Sequence, residues 1–561
     1  MSNRRYDAEA HGSITAWQLG RQARNARLEA GAKLAKGKIV QAADAAALLE
    51  AVIQPGDRVC LEGDNQKQAD LLAAALVAVD PAKIHDLHMV QSGVVLPEHL
   101  DIFERGVAKR LDYAYSGPQS TRIASMLFGG KIELGAVHTY IELFARYFID
   151  LTPNVALIAA LSADRDGNLF TGPNTEDTPT VVEATAFKDG VVVAQVNEIV
   201  DKLPRVDIPG DRVHFVVKAE KPFFVEPLFT RDPGAITETQ ILTAMLAIKG
   251  IYAPYGVKRL NHGIGFNTAA IELLLPSFGE RLGLKGKVAS HFALNPHPTL
   301  IPAIESGWVA QIHSFGSEVG MDGYVEARSD VYFTGSDGSL RSNRAFCQLA
   351  GLYACDMFIG STLQIDLYGN SSTVTASRIA GFGGAPNMGS DARGRRHPTA
   401  PWLQAGREAD PDGPAPLRRG RKLVVQIGET FGEKNAPLFV ERLDALALAE
   451  KLKLDLAPVM IYGDDVTHIV TEEGIANLLL CRDKDEREQA IRGVAGFTDV
   501  GRARDRKAVQ HLRERGVIRR PEDLGIDPLD ADRSLLAARS IKDLVHWSGG
   551  LYAPPSQFRN W

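Results

Sequence analysis

Two glycine-rich turns hold the residue types most suited to chemistry. In HGIGFNT (His262 to Thr268), Gly263 and Gly265 stand between an apolar run and an apolar helical pattern. Glycines in that position let backbone N–H groups point at an anion near a helix N-terminus. In RIAGFGGAPNMGSDARGRRH (Arg378 to His397), Gly383 and Gly384 precede the Pro-Asn pair that contains Asn387. A loop of this kind can present several unpaired N–H groups together, which is what an oxyanion requires. An isolated glycine loop also reads as a plain surface turn. Two of them in one half of the chain, with small polar residues closing strand after strand, favour a ligand site. Gly263, Gly265, Gly383 and Gly384 are therefore the candidate backbone donors.

Other familiar chemistry is absent from the sequence. A dinucleotide fingerprint would need a third glycine where Thr268 stands and an acidic end to the next strand, KVASHFALN. There is no GxSxG elbow, HExxH pair, P-loop or kinase motif set. His85 and His88, three apart on a strand, face opposite ways and do not suit a shared metal. His291, His297 and His313 fall near expected strand ends, where a substrate contact and a structural role are both open. Cys60, Cys347, Cys355 and Cys481 show no CxxC spacing, so neither a disulfide framework nor a structural zinc site is expected, and a reducing compartment fits.

The elements that must position these residues alternate from about residue 38 onward: short β-rich runs, each followed by a helical pattern, the mark of βαβ units. RVCLEGD (Arg58 to Asp64) reads as strand and turn, and Asn65 to Ala82 as its helix. The pattern restarts after the proline-containing segment Glu226 to Gln240. The expected organisation is an N-terminal helical extension (1–37), one α/β domain (38–232), a second (233–520) with a Pro-rich insertion at 398–422, and a tail (521–561). Both domains are expected to be open, mainly parallel sheets with flanking helices. For 561 residues, a quotient of about 150 residues per domain suggests three or four units, and two large α/β halves account for the length as well. Hydrophobic content of 45%, charged content of 24% and a net charge of -6 describe a globular chain. The mild acidity argues against general nucleic-acid binding. No apolar run approaches the roughly 18 residues of a spanning helix, VALIAALSA from Val155 ending before Asp164.

Taken together the chain resembles the acyl-CoA transferase superfamily, and within it the α subunits of biotin-independent malonate decarboxylase. The resemblance runs from about residue 38 to the C-terminus. It is carried by LEGDNQKQADLLAAAL, HDLHMVQSG, GAVHTYIELFARYFIDLTPNVALIAA, DRDGNLFTGPNTEDTPT, LNHGIGFNTAAIELLLP, YACDMFIGSTLQIDLYGNSST, AGFGGAPNMG and THIVTEEGIANLL. It implies two transferase domains with the active site between their strand ends. The implied reaction exchanges acetyl for malonyl on the thiol of an acyl carrier protein that bears a CoA-derived (phosphoribosyl-dephospho-CoA) group. Separate decarboxylase subunits would then release carbon dioxide. The implied setting is cytoplasmic malonate catabolism, with no metal and no cofactor held by this chain.

On this reading malonate, a dianion, needs donors for its far carboxylate. Asn65, His138, Asn174, Asn295, His297 and Asn387 are the candidates, Asn295 being placed with the catalytic glycines. One departure from the superfamily matters. Its covalent branch uses a Glu on the strand after the GIG helix, whereas KVASHFALNPHPTLIPAI (Lys287 to Ile304) contains no Asp or Glu. Direct attack of malonate on the thioester within a ternary complex follows, with Glu226 the fallback nucleophile. The clusters Arg393, Arg395, Arg396 and Arg418, Arg419, Arg421, Lys422 would offer an acidic carrier protein a basic landing site. A CoA transferase using free acyl-CoA and a non-catalytic scaffold of a decarboxylase complex are the alternatives.

Overall fold

The computed structural model describes residues 16–63, 67–173, 175–336, 340–390, 422–432, 435–559 and 561. Apolar runs without polar alternation, such as Val155–Ala163, suit strands covered on both faces, and ten strands build the first sheet. They are β1 (Ala35–Lys36), β2 (Ile39–Val40), β3 (Arg58–Leu61), β4 (Leu87–Val94), β5 (Ala108–Ser116), β6 (Glu133–Val137), β7 (Val155–Ala163), β8 (Leu169–Phe170), β9 (Val191–Ile199) and β10 (Phe215–Lys218). Their order is β1-β2-β10-β9-β7-β3-β4-β5-β6, with β8 paired to β7, and the central pairings are parallel. In the middle, β7 and β9 run alongside each other from Val155↔Val191 to Ala163↔Ile199.

The second sheet follows the same logic. After β11 (Arg259–His262), β12 (His291–Ala293), β13 (Gln311–His313) and β14 (Met357–Gly360) comes a small hairpin, β15 (Gln364–Ile365) and β16 (Ser371–Ser372). Then follow β17 (Leu423–Ile427), β18 (His468–Thr471), β19 (Gly474–Asn477) and β20 (Ile518–Arg519). The order is β13-β12-β11-β14-β17-β18-β19-β20, parallel as far as β18 and antiparallel beyond it. Two mainly parallel open sheets with flanking helices are thus present, as the alternating pattern predicts.

Local chemistry sets several helix starts. Thr139 and Glu142 form a reciprocal capping box at the helix Tyr140–Ile149, and Thr237 with Gln240 does the same for Glu238–Ala247. The helix after β3 spans only Asp70–Ala78, shorter than its hydrophobic pattern predicts. Before it, Gly63 bridges Gln68 and Lys67 bridges Val225. The tail carries short 3-10 turns, among them Arg533–Leu535, and a helix, Ile541–Trp547. Leu535, Ile541, Leu544 and Tyr552 bury themselves in the core of the second half.

The two halves are joined at a seam. A strand-like stretch of the second half lies against the end of β5, with Ser116 N–H donating to Ala380 O (2.7 Å) and Phe382 and Gly383 N–H donating to Ala114 O (2.7 and 2.8 Å). Close by, Arg344 is fully buried, paired with Glu176 and, at 2.8 Å, with Asp177, its guanidinium 4.6 Å from the Tyr140 ring centroid.

Candidate active site

At this seam the carboxyl ends of β5, β11, β12 and β14 surround a cavity of about 180 Å³. Ligand sites of open α/β sheets lie at such strand ends. Its wall takes Tyr115 and Tyr140 from the first half, and Asn261, His297, Ser361 and the 380–385 stretch from the second. Among the described residues lining it there is no Asp, Glu or Cys. Burial also raises all four thiols, Cys347 to about 12 and Cys481 to about 11, so none is a ready thiolate.

The glycine loops reach this cavity, but two of the four expected donors have other work. Gly263 donates its N–H to Ile359 O at 2.7 Å. It is glycine because a Cβ would stand 2.9 Å from the Cα of Gly360, at the ends of the parallel neighbours β11 and β14. Gly383 donates to Ala114 O and has φ +57°, a left-handed conformation that glycine adopts without strain. Both are corrected from oxyanion donors to backbone requirements. Gly384 lines the cavity, and its N–H has no acceptor among the described residues. Gly265 caps the helix Phe266–Leu274 and also keeps its N–H unbonded, on a small adjoining cavity that shares Phe229, Ile264 and His297 with the large one. Ser361 Oγ lies 3.4 Å from the position a Gly265 Cβ would take, and is buried without a hydrogen-bond partner among the described residues. A serine hydroxyl and glycine N–H groups thus belong to residues lining two adjoining cavities, the donor types an oxyanion requires.

His297 lines both cavities. Its ring stacks on Phe229 (5.0 Å between centroids, 21°), and its Nδ1 lies 2.9 Å from Glu272 Oε1. The Nε2 atom is buried with no partner among the described residues. Glu272 sits on the helix Phe266–Leu274, completely buried. It accepts further bonds from His262 Nδ1 (2.8 Å) and from the Thr299 hydroxyl. Burial pushes its carboxyl up, but the adjacent His297 and the bonds from both imidazoles outweigh this and hold it down at about 2. Asn295 also lines the large cavity, its Nδ2 donating to Ser317 O at 3.0 Å.

Other expected residues fall elsewhere. His138 is fully buried, Nε2 2.7 Å from Asp112 Oδ1 and Nδ1 3.5 Å from Glu142 Oε1. Burial lowers its pKa, but Asp112 and Glu142 together raise it overall; it serves a charge network of the first half and does not line the cavity. Asn387 donates to Gln348 Oε1 (3.0 Å), so it orients a lining side chain instead of touching the space itself. Lys422 is corrected from the landing site: it is buried, with Nζ donating to the carbonyls of Gly351 (2.8 Å), Leu352 (3.4 Å) and Asn387 (3.3 Å). Asn65, Asn174, Arg393, Arg395, Arg396, Arg418, Arg419 and Arg421 lie outside the described residues. The sequence reading missed Glu272, Ser361, Gln348 and Tyr115. Ser361 alone had a visible cue, closing the strand-like run MFIGS as small residues close the others.

The fold and the donor-lined seam define a class, the two-sheet fold of CoA-transferase type. A solved Streptococcus mutans protein described as a putative citrate lyase α subunit, in complex with citrate, superposes with a TM-score of 0.57 at 15% identity, covering 82% of each chain, a likeness of fold alone. Residues 16–561 match the family described as malonate decarboxylase, alpha subunit, transporter. The acetyl-S-ACP:malonate ACP transferase of Malonomonas rubra is 64% identical over 526 residues, which are 93% of this chain and 95% of that one. A chain of the Pseudomonas malonate decarboxylase hetero-tetramer, crystallised with malonate, is 60% identical with a TM-score of 0.92, covering 98% of this chain and all of that one. The protein belongs to the malonate decarboxylase α-subunit family.

Proposed function

We propose that this chain is the transferase subunit of a malonate decarboxylase complex. It exchanges acetyl for malonyl on an acyl carrier protein: acetyl-S-ACP and malonate give malonyl-S-ACP and acetate. The named activity of the Malonomonas rubra relative supports this reading. The carrier's thiol belongs to a CoA-derived, phosphoribosyl-dephospho-CoA group that the partner brings, and decarboxylase subunits consume the malonyl product. The observation that carries the mechanism is a cavity lined by hydrogen-bond donors and by no carboxylate or thiol among the described residues.

With no carboxylate or thiol among the described lining residues, the attacking oxygen is the substrate's own. A malonate carboxylate adds to the acetyl carbonyl carbon, and the carbonyl electron pair moves to oxygen. Gly384 N–H and the Ser361 hydroxyl, both on lining residues, are the donors we assign to that oxyanion. The oxyanion collapses, the C–S bond breaks with its electron pair on sulfur, and a malonic-acetic anhydride remains. The thiolate then adds to the malonyl carbonyl of the anhydride, and acetate leaves with the bridging oxygen. No net proton is transferred, so the site needs positioning and electrostatics more than a base. The arginines at 393, 395, 396, 418, 419 and 421 supply a basic landing site for the acidic carrier.

The test is a single turnover with enzyme in excess over acetyl carrier protein and malonate labelled with oxygen-18 in its carboxylates. Direct attack predicts that the first acetate released carries one labelled oxygen. Unlabelled acetate in that first turnover, with a borohydride-sensitive glutamyl thioester on the chain, would establish a protein nucleophile instead.

A further inference from the structure

The buried contacts of Glu272 allow a proton count that goes beyond the reaction just described, and the count rests on that reading only for the identity of the ligand. Tyr252 is fully buried, and its hydroxyl has a single described polar partner, His262 Nε2, at 2.9 Å. Burial and the nearby Glu272 keep the phenol protonated. A buried phenol must place its proton on an acceptor, so it donates to His262 Nε2. That nitrogen is then an acceptor, and His262 is a neutral ring whose single proton, on Nδ1, goes to Glu272 Oε1. Thr299 adds a neutral hydroxyl to the same carboxylate. A carboxylate with no solvent contact requires compensating charge; the Arg231 guanidinium on the same small cavity supplies part of it, and the imidazole bonded to Glu272 that is still unassigned is His297, 2.9 Å away.

We infer that His297, which lines both seam cavities, is held as an imidazolium by Glu272, and that its Nε2–H, for which the described residues supply no partner, is the charged donor that recognises the second carboxylate of a dicarboxylate substrate. Glu272 is the positioning residue, since it fixes the ring's orientation and its charge through Nδ1. Phe229 stacked on one face leaves the Nε2 edge as the polar approach to the ring. Arg231 is the second cation on the small cavity, but its Nη1 already donates to the carbonyls of Leu228 (2.7 Å) and Thr230 (3.0 Å). Acetate, with one carboxylate, cannot use the reacting centre and the imidazolium together. The pair therefore sets preference for malonate over acetate, a role separate from attack on the thioester.

Two measurements on the full chain test this. Ring nitrogen-15 spectra, with His297 assigned by its loss in H297Q, should show both nitrogens protonated, and E272Q should return the ring to one proton. A singly protonated His297 in the unsubstituted protein would overturn the inference. In the second measurement, E272Q is compared for acetyl transfer to labelled malonate and for exchange of labelled acetate into acetyl carrier protein. The ratio of the two kcat/KM values should fall about tenfold, the factor separating a charged from a neutral hydrogen bond, and E272D should restore most of it. A ratio unchanged within about twofold refutes the selective role even if both rates fall. Should the unsubstituted protein turn over neither acceptor, the proposed activity fails, while the spectra still decide the protonation of His297.

Discussion

Replacing Glu226 separates the stability of the seam from its chemistry. Glu226 lies on the connection between the halves, its Oε2 buried without a hydrogen-bond partner. Burial raises its pKa from the ordinary 4.5, Glu318 raises it further and Arg231 opposes, leaving it at about 7. A carboxyl with a raised folded-state pKa binds its proton more tightly when folded. At low pH it is protonated in both states and costs nothing. As pH climbs from about 4.5 to 7 the unfolded chain ionises first, and folding stability drains away until the folded pKa is passed. The difference of 2.5 units between 7 and 4.5 corresponds to roughly 3.4 kcal/mol at about 1.36 kcal/mol per unit. The side chain keeps some solvent contact, and screening reduces this to about 2 kcal/mol. E226Q, which cannot ionise, should therefore match the natural protein at pH 4.5 and exceed it by about 2 kcal/mol at pH 8. Thermal melts across that range would register the gain as a rise of a few degrees that grows with pH. Because Glu226 does not line the cavity, acetyl transfer to malonate should survive the substitution. A pH-independent difference refutes the burial argument, and complete loss of transfer in a folded E226Q makes Glu226 the nucleophile.

Two further predictions concern the seam and the carrier. R344M leaves Glu176 and Asp177 as buried carboxylates without their cation, and denaturant unfolding should show a loss of about 3 to 5 kcal/mol. A loss below about 1 kcal/mol would mean that the pair is not desolvated. Reversing Arg418, Arg419 and Arg421 to glutamate should raise KM for acetyl carrier protein at low salt and flatten its ionic-strength dependence. Kinetics unchanged at every salt concentration would remove the landing site from that segment.

The legible part of the fold was its rhythm. Runs such as Val155–Ala163 are apolar throughout because both faces of a parallel sheet are covered, and that pattern needs no tertiary knowledge to read. The glycine loops were legible as unusual backbone but not as to purpose. Gly263 and Gly384 look alike in sequence, yet one avoids a clash with Gly360 and the other leaves an N–H on the cavity. Lys422 ends a basic run and so reads as solvated, but three carbonyls at the ends of neighbouring helices fold over it. His138 was indistinguishable from His297 by residue type. What separates them is the partner, Asp112 on a strand for one and Glu272 on a helix facing the cavity for the other. Glu272 itself sits in the apolar run AAIELLL, where a lone Glu offers no sequence cue to the two imidazoles it meets.

The absence of an acid from Lys287 to Ile304 gains force from the geometry. That stretch contributes Leu294, Asn295 and His297 to the cavity, so the strand end that faces the substrate is supplied with donors where a nucleophile could have stood. A wall of donors cannot start an acyl transfer, but it can lower the barrier for two ligands already held together. The division of the site across the seam then has a physical consequence. Tyr115 and Tyr140 come from one half, and Ser361, His297 and Gly384 from the other, with the 380–385 stretch bonded across to Ala114. The crossing bonds to Ala114 hold the 380–385 stretch of the second half against the first, so on the proposed reading the Gly384 donor is positioned by contacts that never touch substrate.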